Sequence, residues 1–237
     1  MADLSRRRLI QTGLWGLAAA GATPLILRSD AAPTDATEDT HDYQKFLSDK
    51  GIPQVQPAGK WEPTGDDILG PYYLKSAPFR GKVTPPLEPG ELLVMRGRIW
   101  GIDTKRPITN AVFDIWQANA KGSYDLTDPR KPPKRSGFRN RIRLVTDETG
   151  YYEYETIRPG SYRIGGGPKD FRPAHIHYMV QAPGYAKLIT QLYFKGDRFN
   201  KTDRWASKSN LIIDPEKVRN ANGAYQSGVF DIVLAKK

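Results

Sequence analysis

The chain has 237 residues, 38% hydrophobic and 26% charged, with 22 glycines and 19 prolines; this fits one folded domain plus tails, excludes a disordered chain and favours a turn-rich all-β fold. The formal net charge of +10 raises the question of nucleic acid. The basic residues are scattered, however, and no recognition motif accompanies them, so no nucleic acid is expected and an enzyme acting on an anionic substrate fits better. The lack of cysteine excludes disulfides, iron–sulfur clusters and thiolate zinc sites.

In chain order, the first element reads as an export signal. "SRRRLIQTGLWGLAAAGATPLIL" has a charged start and a moderately apolar middle, and "SDA" at 29–31 supplies a cleavage site. Arg6 and Arg7 followed by Leu9 and Ile10 resemble a twin-arginine signal. That implies the twin-arginine translocase as the precursor's partner and a periplasmic or secreted product, membrane-anchored if the segment is retained. Its glycines and Gln11 make it a poor permanent span. Residues 32–65 form a polar, proline-rich arm with one helix-like piece, "HDYQKFLSDKG" (41–51), and residues 66–237 form the folded domain.

Within that domain the pattern turns to strands: "LLVMRGRIWG" (92–101), "ITNAVFDIWQA" (108–118), "RIRLVT" (141–146), "YYEYETI" (151–157), "AHIHYMVQAPG" (174–184), "KLITQLYF" (187–194) and "VFDIVLA" (229–235). "DETG" between the third and fourth predicts a hairpin. Seven or eight short strands with turns between them predict a β-sandwich. "DPRKPPKRSGFRNR" (128–141) is a long basic loop, and loops of that length often carry function. Its Arg130 and Arg135, with Arg139, are candidates to attract an anionic substrate.

"RPAHIHY" (172–178) carries two of the three histidines, His175 and His177. On a strand, residues two apart share a face, so the pair either converges on one metal ion, at about 2.1 Å, or lines a pocket. A third imidazole would have to come from His41, in the arm; no histidine follows His177, and few carboxylates lie nearby. Tyrosine is abundant, at twelve. A phenol of pKa about 10 ionises at neutral pH only against a strong Lewis acid, since three pKa units are roughly 4 kcal/mol. Fe(III) is such an ion.

Four motifs in order, "DIWQANAKGSYD" (114–125), "IRPGSYR" (157–163), "FRPAHIHY" (171–178) and "LITQLYFKGD" (188–197), resemble those of intradiol ring-cleaving dioxygenases, most of all the iron-bearing β-type subunit of protocatechuate 3,4-dioxygenase. "GPYY" (70–73) and "FDIVL" (230–234) also match, and the resemblance covers roughly residues 66–235. It implies a β-sandwich and a non-haem Fe(III) enzyme that opens a catechol ring between its hydroxyls with O2, giving a cis,cis-muconate. It further implies Tyr124, Tyr162, His175 and His177 as iron ligands, with Tyr162 the ligand that substrate displaces and a base for the substrate proton. Arg172 and Gln191 match the pair beside the reacting ring, and Tyr73 and Trp116 resemble pocket walls. Ile164 stands where the β-type subunit has an aromatic residue, which implies a pocket shaped for another ring. The family implies an oligomer, of identical chains or with a related subunit. Two readings of other classes stand beside this one: an exported β-sandwich that binds metal or a phenolic ligand without turnover, and a zinc or copper hydrolase built on the same histidine pair.

Overall fold

A computed structural model describes residues 61–126, 134, 137–167, 170–209, 211–221 and 223–237. The expected signal, most of the arm, and Arg130 and Arg135 of the basic loop lie outside them. Among the described residues no helix is long and apolar enough to cross a membrane.

The protein is a β-sandwich. Its first sheet is centred on β1 (Leu92–Gly101), which pairs antiparallel with β4 (Tyr151–Ile157) and parallel with β11 (Gly223–Val229) and β12 (Ile232–Leu234); β10 (Glu216–Asn220) pairs with β11. The second sheet has the order β3 (Arg141–Val145), β2 (Val112–Gln117), β7 (His175–Gln181), β8 (Leu188–Phe194), β9 (Ile212–Ile213). A short ladder joins β5 (Tyr162–Arg163) to β6 (Phe171–Arg172).

The expected "DETG" hairpin does not form. The turn itself is tight: Asp147 Oδ1 accepts hydrogen bonds from the backbone N–H groups of Thr149 and Tyr151, and Gly150 takes φ +69°. Yet β3 pairs with β2 and β4 with β1, so the turn is a corner between the sheets. Turn chemistry specifies the reversal; the partner of each strand is set by which sheet buries its apolar face.

Period-two alternation divides the second sheet. Phe113, Ile115, Ile142, Ile176, Tyr178, Val180, Leu192 and Phe194 face inward and form one buried cluster with Leu93, Met95, Ile99, Tyr154, Ile232 and Leu234 of the first sheet. Fully burying each large apolar side chain contributes about 1.5–3 kcal/mol. The alternate residues, among them Asp114, Trp116, His175, His177, Gln191 and Tyr193, point to the other face and are also buried. What covers them is a strap that begins in the arm. Thr64 exchanges hydrogen bonds with Val233, and the Asp67 N–H donates to Ile189 O at 2.9 Å.

Candidate metal centre

The register fixes the floor of the site. Trp116 pairs with His177 and His177 with Gln191 across three neighbouring strands, while His175 pairs with Tyr193. The Trp116 indole lies parallel to the His177 ring, centroids 4.6 Å apart. Gly70, at φ +71°, passes so near that a Cβ there would sit 3.2 Å from His177 Cε1.

The two imidazoles aim at one point. His175 Nδ1 lies 2.7 Å from Pro173 O; a carbonyl only accepts, so Nδ1 carries the proton and Nε2 presents its lone pair. That Nε2 is 3.1 Å from His177 Nε2 and 3.4 Å from Tyr124 Oη. Burial, assisted by Arg172, pushes His175 down to about 3, and burial holds His177 well below its usual value. Both rings are therefore neutral, and His177 Nδ1 is buried without a hydrogen-bond partner. Buried polar atoms rarely stay unpartnered. Two donors at right angles on one ion, each at about 2.1 Å, lie roughly 3.0 Å apart, close to the Nε2 separation seen.

The phenols arrive from two loops locked together. Asn119 Oδ1 accepts from the N–H groups of Lys121 and Ser123, and the Gly160 N–H donates to Asn119 O. Gly122, at φ +77°, abuts the Ser161 carbonyl so closely that no side chain fits. This docking brings Tyr124 and Tyr162 edge to face, centroids 5.5 Å apart, with Tyr162 5.6 Å from the His175 ring. Burial raises both phenols, Tyr162 to about 12 and Tyr124 well above 10, the latter also opposed by charge on Tyr162. Neither ionises alone at neutral pH; a trivalent cation against their oxygens reverses that. The donor set, two imidazoles and two phenols, thus suits a hard, highly charged ion. Among the described residues no group of three His, Cys, Asp or Glu converges anywhere.

Around these four residues the side chains are fixed by charge. Arg172, buried, donates to Gln191 Oε1 at 2.8 Å and Tyr193 Oη at 3.1 Å and pairs through Nε with Asp203 at 2.7 Å. Gln191 Nε2 donates to Ile68 O, and Tyr193 Oη donates to Asp67 Oδ2 at 2.7 Å. Asp125, next to Tyr124, forms a buried ion pair with Arg141, whose Nη1 donates to Tyr72 O. Tyr72 in turn stacks on Tyr124 at 4.1 Å. Asp197 Oδ2 accepts from Ser161 Oγ at 3.2 Å and Ala174 N–H at 2.8 Å, joining the residues that precede Tyr162 and His175.

A cleft of about 460 Å³ opens onto the phenols, lined by Tyr72, Tyr124, Tyr162, Lys121, Arg163 and Phe171 among others. The four expected ligands and the Arg172–Gln191 pair are brought together. Tyr73 lies one layer back, tilted against Trp116 at 5.0 Å and bonded to Asp114; Trp116 is buried behind His177, and Ile164 is 57% exposed. Sequence reasoning missed Tyr72, Asp67, Asp125, Asp197 and Asp203. Three of these stood inside the quoted motifs: Tyr72 in "GPYY", Asp125 after "GSY" and Asp197 after "FKG".

Two tyrosines and two histidines thus converge over the outer face of one sheet of a β-sandwich, and comparison with known proteins shows the family that the chain shares. A family model described as "Dioxygenase" matches residues 68–236. Catechol 1,2-dioxygenase 2 of Acinetobacter lwoffii is 34% identical over 197 residues, covering 76% of this chain and 70% of the relative. Chlorocatechol 1,2-dioxygenase of Rhodococcus opacus is 35% identical over 195 residues, 74% of this chain and 73% of the relative. The structure of catechol 1,2-dioxygenase from Acinetobacter sp. ADP1 superposes with a TM-score of 0.63 at 29% identity, covering 84% of this chain and 69% of that one. The chain belongs to the intradiol ring-cleavage dioxygenase family.

Proposed function

We infer that this protein is a non-haem Fe(III) dioxygenase that cleaves a catechol-type ring between its two hydroxyls, with protocatechuate or a related catechol as substrate. Both atoms of O2 enter the product, a cis,cis-muconate. The observation that carries this reading is the convergence of Tyr124, Tyr162, His175 and His177 on one point, with the two Nε2 atoms turned toward each other beside a cleft. Ferric iron, when bound by these four, supplies the Lewis acidity that ionises phenols and activates a catecholate toward O2.

The chain's own residues divide the remaining work. Tyr162 lines the cleft and is only half-buried, whereas Tyr124 is closed beneath Tyr72. Tyr162 is therefore the phenol that an incoming ring can displace, and its phenolate is basic enough to take a proton from a catechol hydroxyl. Arg172 is held in place on three sides, so it meets negative charge building on the ring without reorganisation. Gln191, anchored to the strap, keeps Arg172 aimed. Export through the twin-arginine pathway to the periplasm, and an oligomer of identical chains or with a related subunit, complete the proposal.

Iron-loaded protein should show a red-brown tyrosinate charge-transfer band and consume O2 with at least one of catechol, protocatechuate and hydroxyquinol, forming muconate one for one. Tyr162→Phe should keep iron and lose most of the turnover. Coloured protein inert toward every catechol would make it a binder; colourless iron-loaded protein would remove the site assignment.

A further inference from the structure

The cleft beside the two phenols has a sign. Among the described residues its lining contains two charged side chains, Lys121 and Arg163, both cationic and both exposed. Nearby acids are committed elsewhere: Asp125 to Arg141, Asp197 to Ser161 and the Ala174 N–H, and Asp170 to the Gly167 N–H. Among the described residues neither Lys121 nor Arg163 forms an ion pair, so their charge faces the cleft and solvent.

Both cations are placed by the machinery that places the phenols. Lys121 sits in the Asn119 turn, one residue before the Gly122 contact with Ser161. Arg163 directly follows Tyr162 on β5; its guanidinium lies 5.4 Å from the centroid of Phe171, itself part of the lining, and donates to Gly166 O. Phe171 is backed by Phe199, stacked at 4.6 Å. A ring seated against Tyr162 is therefore flanked by an aromatic wall and two cations, in a space within the range that holds ligands larger than a bare diol.

We propose that Lys121 and Arg163 select a catechol whose ring carries an anionic substituent, a carboxylate attached directly or through a short chain. The inference rests on the ring-cleaving reading of the same site and narrows it to one substrate class. Two effects contribute and separate by salt. Long-range attraction fades with ionic strength, the Debye length being about 8 Å at physiological salt. A charge-assisted hydrogen bond to a carboxylate persists.

The test compares protocatechuate with catechol, both as kcat/KM by oxygen uptake and as Kd by calorimetry under nitrogen. Wild type should favour the acid. Lys121→Met with Arg163→Gln should lower the acid-to-catechol ratio about tenfold or more in both measurements, whereas Lys121→Arg should retain it. A ratio unchanged in the double variant at low and high salt overturns the inference and leaves ring cleavage standing. Selective binding of the acid that depends on the two cations, with no turnover of any catechol, overturns ring cleavage and leaves the charge selection standing.

Discussion

Two pairs of phenols lie on opposite faces of the second sheet, all buried but the half-buried Tyr162. In the core, Tyr154 of β4 and Tyr178 of β7 place their hydroxyls 2.5 Å apart, bridging the sheets. On the outer face, Tyr124 and Tyr162 stand edge to face over His175 and His177. Burial raises the pKa of all four, so burial does not separate a structural tyrosine from a ligand. Surroundings do. In the core pair each hydroxyl oxygen has the other as its partner, amid apolar side chains. The outer pair faces two neutral imidazoles whose Nε2 atoms confront each other while one Nδ1 lacks a partner. Two imidazoles and two phenols turned toward one point form a donor set that a hard, highly charged cation fits.

The largest effect should come from deleting one hydroxyl in each pair. Tyr124→Phe should lower iron affinity by roughly a hundredfold or more, beyond what losing a supporting residue costs, and bleach most of the charge-transfer band. Its metal-free stability should change by no more than about 1–1.5 kcal/mol, because the hydroxyl's contact with His175 Nε2 is long, at 3.4 Å, and its hydrogen bond with the Tyr162 phenol is a single ordinary one. Tyr178→Phe should do the reverse: full colour and iron, but a loss of about 1–3 kcal/mol from leaving Tyr154 Oη buried and unpartnered. Iron titration against a chelator and urea denaturation read the two quantities. If Tyr178→Phe bleaches the band, the division between the faces is wrong.

The same division explains what the sequence made legible. β1 and β4 match the predicted strands residue for residue, because their β-branched and aromatic residues mark both ends. β11 went unread: "GAYQSGV" has two glycines, a serine and an alanine, and it is a strand because β1 pairs with it, Gly228 fitting beneath Met95. β5 and β6 hold two residues each, too few for any period. At the site, the four donors and the Arg172–Gln191 pair were legible through motif order. The carboxylates behind them were not. In sequence Asp197 and Asp203 are loop acids indistinguishable from solvated ones; only long-range packing turns them inward. Lys121 and Arg163 stood in quoted motifs, but which cations reach the cleft depends on the Gly122 docking.

A smaller effect should follow from Asp197, which belongs to neither phenol pair yet serves the outer one. Its Oδ2 accepts from the residues preceding both Tyr162 and His175, and its Oδ1 from the Phe199 N–H at 2.9 Å. Asp197→Asn sets an amide N–H₂ against one of these donors. Iron affinity should fall about tenfold, the lower end for a residue that orients ligands, and stability by roughly 1–2 kcal/mol. Ser161→Ala, which removes a single contact, should give a weaker version of the same change. Loss of stability with affinity intact would make Asp197 a structural residue only and sharpen the boundary of the site.

The smallest effect on the metal centre, no change at all, is expected from a titrating group in the first sheet. Asp231, between β11 and β12, accepts the Arg98 N–H through Oδ1 at 2.7 Å. Burial pushes its carboxyl up to about 6 from 3.8, more than the hydrogen bond and the charge of Arg98 hold it down. A raised folded-state value means that the native protein holds this proton more tightly than the unfolded chain does. The stabilisation is therefore fully present below about pH 4 and is lost as pH rises through about 6. Its span is roughly 2–3 kcal/mol at most. Asp231→Asn keeps an oxygen for the Arg98 N–H and removes the titration. The difference in unfolding free energy between the variant and wild type should then move in the variant's favour between pH 4 and pH 7, reaching a plateau above. Using the difference cancels the carboxylates common to both proteins. Iron affinity and colour should be the same in the two at every pH where both are folded. A flat difference across that range would show that Asp231 is already ionised in the fold, held by Arg98. A change of colour would show that the first sheet reaches the metal centre, against the separation of faces on which the other tests rest.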